Sequence, residues 1–99
     1  MSYNISWSTE AEETFNKNIE YLQQHWSKHV VENFFQRTLD VIDIISSEPL
    51  LFPLHKTKGN IHRCVVTEQI SLYYKIVDRS NIELQTFWNV YQNPKKLKL

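Results

Sequence analysis

The hydrophobic period of the chain changes partway along its length, and that change limits what it can fold into. Between Thr9 and Ser46 apolar residues recur every three or four positions, whereas from Ile61 to Gln85 they recur at every second one. The first spacing belongs to helices with one buried stripe, the second to strands with one buried face. Ahead of the helices Tyr3, Ile5 and Trp7 alternate with Asn4 and Ser6, so the chain opens with a half-buried strand.

Ser8 or Thr9 caps the first helix, and Thr9 with Glu12 has the spacing of a capping box. Glu10, Glu12 and Glu13 sit favourably at the positive end of the helix dipole. Ala11, Phe15, Ile19, Leu22 and Trp26 form its apolar stripe. The spacing predicts a second helix from Ser27 to about Ser46. Val31, Phe34, Phe35, Thr38, Leu39, Ile42 and Ile45 make its buried side, with Glu32, Gln36, Arg37, Asp40 and Asp43 in water. The short break at Trp26–Lys28 implies an antiparallel helical hairpin, and Pro49 ends the second helix.

Residues 48–60 contain Pro49, Pro53 and Gly59 and read as a loop anchored by Leu50, Leu51 and Phe52. Cys64 and Val66 then share one strand face. Ile70, Leu72, Tyr74 and Ile76 share the next, opposite Ser71, Tyr73 and Lys75. Ile82 and Leu84 oppose Glu83 and Gln85 in the last. The short polar connections Thr67–Gln69 and Asp78–Asn81 predict an antiparallel meander. The tail from about Asn93 leaves the sheet and is expected to be mobile. The expected fold class is α+β, with the order β-α-α-β-β-β: one domain over residues 1–99, a helical hairpin on a small, twisted antiparallel sheet.

Composition narrows the function. A chain of 99 residues closes one core, burying about 65% of its unfolded surface. The single glycine, Gly59, excludes Gly-rich phosphate loops, and the single cysteine, Cys64, excludes an internal disulfide framework and Cys-based zinc fingers. The apolar run Pro49–Leu54 is too short to span a membrane, and the N-terminus lacks the pattern of a secretory signal. A reducing cytoplasm is the expected location. Net charge is zero, but its distribution is uneven. Residues 1–48 carry eight acidic and three basic side chains, and residues 49–99 reverse those numbers. Such polarity suits either an anionic partner or an internal match between an acidic helical layer and a basic sheet.

His25 and His29 have a spacing that can hold a metal, but they straddle a helix boundary without an obvious third ligand, so no metal or other cofactor is expected. Cys64, in an apolar strand, reads as a small buried thiol. What remains is basic and aromatic: His55, Lys56, Lys58, His62 and Arg63, then Tyr91, Lys95, Lys96 and Lys98. Phosphate recognition needs such cations, and a metal-free ribonuclease would add a His or Tyr for proton transfer. Solvated lysines in a loop and a tail are the plain alternative.

Four segments in order resemble the RelE/ParE family of type II toxin–antitoxin toxins, also described as plasmid stabilisation proteins. They are Ile5–Ala11, Ser47–Pro53, Leu72–Ile76 and Ile82–Trp88 followed by Asn93-Pro94. The resemblance implies a helical hairpin against a curved sheet, a cognate antitoxin as partner, and assembly as a homodimer or a toxin–antitoxin hetero-oligomer. It implies one of two activities: ribosome-dependent, metal-free cleavage of messenger RNA, or ParE-like action on DNA gyrase. An arginine that many nuclease members carry falls here at Ser71, one that much of the family carries after the last strand falls at Tyr91, and one typical of the second strand falls at His62, beside Arg63. Guanidinium forks stabilise a developing phosphate charge better than a hydroxyl or phenol does. The resemblance is therefore closer to ParE-like members, acting by binding a target through Lys56, Lys58, His62, Arg63, Tyr91, Lys95 and Lys96. The alternatives are a nuclease using His62 or Tyr91 in proton transfer with Lys56, Lys58 and Arg63 on phosphate, and a decayed, inactive member.

Overall fold

The computed structural model describes residues 2–91, 96, 97 and 99. Of the expected tail, Asn93, Pro94, Lys95 and Lys98 lie outside the described residues. The elements are β1 (Asn4–Trp7), α1 (Thr9–His25), α2 (Lys28–Ser47), β2 (Leu54–Lys56), β3 (Ile61–Val65), β4 (Ile70–Ile76) and β5 (Asn81–Asn89). The two helices pack on one face of a sheet ordered β1-β5-β4-β3-β2, an α+β arrangement as the hydrophobic periods require.

Two features of the sheet differ from expectation. The sheet is mixed, because β1 pairs with β5 in parallel, Asn4 opposite Asn81 and Trp7 opposite Leu84. Hydrophobic period says nothing of strand direction, which is set by the path of the helical hairpin. A fifth strand, β2, lies inside the segment read as loop. All three of its residues are exposed, so no alternation marks it. The turn Thr57–Asn60 returns it to β3, with Asn60 N–H donating to the Thr57 carbonyl at 3.1 Å. Gly59 takes φ +84° there, where a side chain would be strained.

The first helix is capped by Ser8, not Thr9. Ser8 Oγ accepts from Ala11 N–H at 2.9 Å, and Thr9 is already helical, so the Thr9–Glu12 box does not form. The second helix buries Phe34, Thr38, Val41 and Ile45, a single narrow stripe. Phe35 and Leu39, expected inside, are 49% and 47% exposed because they fall beside that stripe. The core centres on aromatic rings. Phe87 stacks on Trp7 at 5.4 Å and meets Phe15 edge-on at 5.3 Å, while Phe15 stacks on Phe34 at 5.4 Å.

The first helix also finishes the edge of β5. Strand β1 ends opposite Leu84, which leaves the backbone groups of residues 85–87 without a strand partner on that side. Ser8 Oγ donates to the Gln85 carbonyl at 2.9 Å, Thr14 Oγ1 accepts from Phe87 N–H at 2.9 Å, and Asn18 Nδ2 donates to the Phe87 carbonyl at 3.1 Å. Asn18 is buried for this reason and donates as well to the Thr14 carbonyl. Replacing Asn18 by Leu keeps the volume and removes both of these bonds and the one its Oδ1 accepts from Asn89 Nδ2, leaving a buried carbonyl unpaired. It should cost about 2 kcal/mol in urea unfolding. Ser8→Ala removes cap and edge bond together and should cost about 1–2 kcal/mol.

Candidate functional site

The two sides of β3 and β4 differ in chemistry. Cross-strand pairs His62–Tyr74 and Cys64–Leu72 face the helices, and pairs Ile61–Lys75, Arg63–Tyr73 and Val65–Ser71 face away. On β5, Glu83 lies opposite Lys75 and Trp88 opposite Ser71, extending the outward face. A register shift at His55 in β2 aims its ring at the same face, 4.8 Å from Tyr73 and edge-on to it. Lys56, opposite Ile61, joins them and donates from Nζ to the Leu99 carbonyl. Lys56, Arg63 and Lys75 therefore stand on one face with the His55–Tyr73 pair among them.

This grouping only partly overlaps the residues singled out from sequence. Lys56 and Arg63 do come together, and Lys58 stands exposed in the turn at the rim beside them. His62 does not: it is 4% exposed, on the opposite side of the sheet. Its Nδ1–H donates to the Phe52 carbonyl at 2.9 Å, its Nε2 lies 3.1 Å from the Asn60 side-chain oxygen, and its ring stacks on Tyr74. Period two, which put Cys64 and Val66 inside, puts His62 inside as well. Tyr91 is exposed at the end of β5, in a separate hollow with Lys17 and Tyr21 of α1. Lys96 is exposed, and Lys95 lies outside the described residues. Tyr73 and Lys75 were not among the candidates, and His55, part of the basic cluster, was given no role there. Alternation placed Tyr73 and Lys75 opposite the apolar side of their strand, but nothing local announced the shift at His55.

The loop after α2 is fastened from beneath. Tyr74 Oη donates to the Pro49 carbonyl at 2.6 Å, and Arg63 N–H donates to that of Pro53 at 3.0 Å. His25 and His29 fall on different helices, and among the described residues no group of three or more His, Cys, Asp or Glu side chains could hold a metal. No described helix is long and apolar enough to cross a membrane.

No protein-family profile and no curated protein sequence matches the chain. Solved structures do match its fold. A chain of the Escherichia coli DinJ–YafQ toxin–antitoxin complex superposes with a TM-score of 0.59 at 13% identity, over 90% of this chain and 93% of that one. A chain of the YoeB–YefM complex from Staphylococcus aureus gives 0.59 at 16%, over 92% and 100%. The YoeB dimer from the same organism gives 0.57 at 18%, over 87% and 94%. The fold is thus the one seen in RelE-like toxins.

Because His62 ties β3 to the Phe52 loop, His62→Ala should lower unfolding stability by about 2–4 kcal/mol. Circular dichroism with urea checks this. Burial pushes the Cys64 thiol from 9.0 up to about 11, the Arg37 guanidinium offsetting part of the rise. The native state thus favours the protonated thiol. Its contribution to stability is intact below pH 9, declines as the unfolded chain ionises, and is gone above about 11. Iodoacetamide at pH 8 should leave the native thiol unmodified and label it after denaturation.

Proposed function

We propose that the chain is the toxin of a type II toxin–antitoxin module, gripping an intracellular macromolecule with the sheet face that carries Lys56, Arg63 and Lys75. One observation carries the reading: on a fold shared with chains of toxin–antitoxin complexes, a cationic face stands opposite an acidic helical layer. A cognate antitoxin neutralises it in a hetero-oligomer, covering apolar side chains that the hairpin leaves in water, Phe35 and Leu39 among them. The ParE-like form, with DNA gyrase as target, is favoured by the scatter of the first nuclease set. His62, Arg63 and Tyr91 lie on one side of the sheet, the other side, and its far end. Proton transfer and phosphate contact must converge within hydrogen-bond reach of one scissile bond.

A second reading, a metal-free, ribosome-dependent endoribonuclease, has an observation of its own. His55 presents an imidazole beside Tyr73, and Arg63 is Tyr73's cross-strand neighbour. In that reading His55 replaces His62 in proton transfer, and Lys56 and Arg63 bind the phosphate.

Induced expression should arrest growth, and the double charge reversal Arg63→Glu with Lys75→Glu should relieve it without loss of fold. In a translation extract the gyrase reading requires intact message, together with inhibition of supercoiling by purified gyrase. Cleaved message that becomes intact with His55→Ala selects the nuclease instead. A folded wild-type chain that leaves growth unaffected marks an inactive member.

A further inference from the structure

A hollow lies away from the cationic face, where the end of α1, the first turns of α2 and the β3–β4 turn meet. It is an open depression of about 620 Å³. Leu22, Phe34 and Val66 form its buried floor, and Trp26 and Val65, 46% and 51% exposed, form its lip. Trp26 is fixed there as the C-cap of α1, its backbone N–H donating to the Leu22 carbonyl at 2.8 Å. That is space for one or two bulky side chains with apolar atoms beneath them.

Arg37 forms one wall. Its Nε–H donates to the Val66 carbonyl at 3.2 Å, which holds the guanidinium at the hollow. Among the described residues the two terminal amino groups have no partner, and no carboxylate, Glu68 at the rim included, forms an ion pair with it. A purely apolar occupant would strip water from this cation and return nothing, and a basic one would meet like charge. A carboxylate beside an apolar group satisfies both parts of the site, since the free fork of a guanidinium matches a carboxylate in two parallel hydrogen bonds.

We infer that this hollow docks a segment of a partner chain presenting a bulky apolar side chain next to an acidic one. The apolar group lies over Phe34 between Trp26 and Val65, and the carboxylate pairs with Arg37. The inference deepens the antitoxin reading and rests on it for the source of the segment. The chemistry of the hollow does not depend on what the sheet face binds.

The test uses the purified chain, labelled with nitrogen-15, and two probes: acetyl-Leu-Phe-Glu-Leu-amide and its glutamine counterpart. The acidic peptide should shift the Trp26 indole N–H saturably and bind about fivefold or more tighter than the amide one. Arg37→Gln should bring the two affinities together, and Trp26→Ala, which leaves the Arg37–Val66 bond in place, should weaken both. Equal affinity for the wild-type chain, shifts confined to another surface, or no saturable shift would overturn the inference. So would concentration-dependent self-association abolished by Trp26→Ala, which would give the hollow to a second copy. Growth arrest without peptide binding removes the hollow's role alone. Peptide binding without growth arrest leaves the hollow and removes the toxin reading.

Discussion

The edge of β5 beyond Leu84 is where the rest of the structure is decided. Strand β1 covers only the first four residues of β5, and an uncovered edge exposes backbone groups that would pair with water or with another chain. Three side chains of the α1 segment, Ser8, Thr14 and Asn18, take those groups instead. Because each must meet one particular backbone atom, they fix the position of α1 along β5. Apolar burial alone would tolerate a slide along the strand, whereas directional bonds at 2.9–3.1 Å do not. The same contact brings Phe15 onto Phe87 and so sets where α2 can rest.

With the hairpin held on one side, the cations stand on the other side of the sheet. Among the described residues no ion pair joins the acidic helices to the basic half of the chain. Among the described residues the ion pair is Lys28 with Glu32, one turn apart within α2 and well exposed. The charge asymmetry seen in the sequence is therefore an asymmetry of surfaces: most carboxylates on the helices, and Lys56, Arg63 and Lys75 across the sheet from them, with Glu83 opposite Lys75. The outward face is not bare, since Ile61 and Tyr73 are nearly buried beneath His55 and the rim. What it offers a partner is a set of cations beside the exposed ring of His55.

Much of the fold was legible because it follows from period. The spacing of Phe34, Thr38 and Ile45 and the alternation through Leu72, Tyr74, Ile82 and Leu84 each point one way, and those residues are buried together. Polar residues with a buried task were not legible. Asn18 looks like wet helix surface, and its role depends on a carbonyl 69 residues away. Strand β2 had no alternation to read. The site was legible in residue type and not in position. Lys56 and Arg63 were found by their charge, but choosing between His55 and His62 requires the register of β2 and the parity of β3. Parity was available in the sequence, and the register shift was not.

The proposed reading puts the binding of a charged macromolecule on the sheet face opposite the helices. A chemical-shift footprint of a short single-stranded RNA, taken at low salt as a generic polyanion, tests it most directly. The account predicts that amides of Arg63, Tyr73, Lys75 and Trp88 move and that those of Phe35 and Leu39 stay still. Movement confined to the helical hairpin, with the sheet silent, would contradict it.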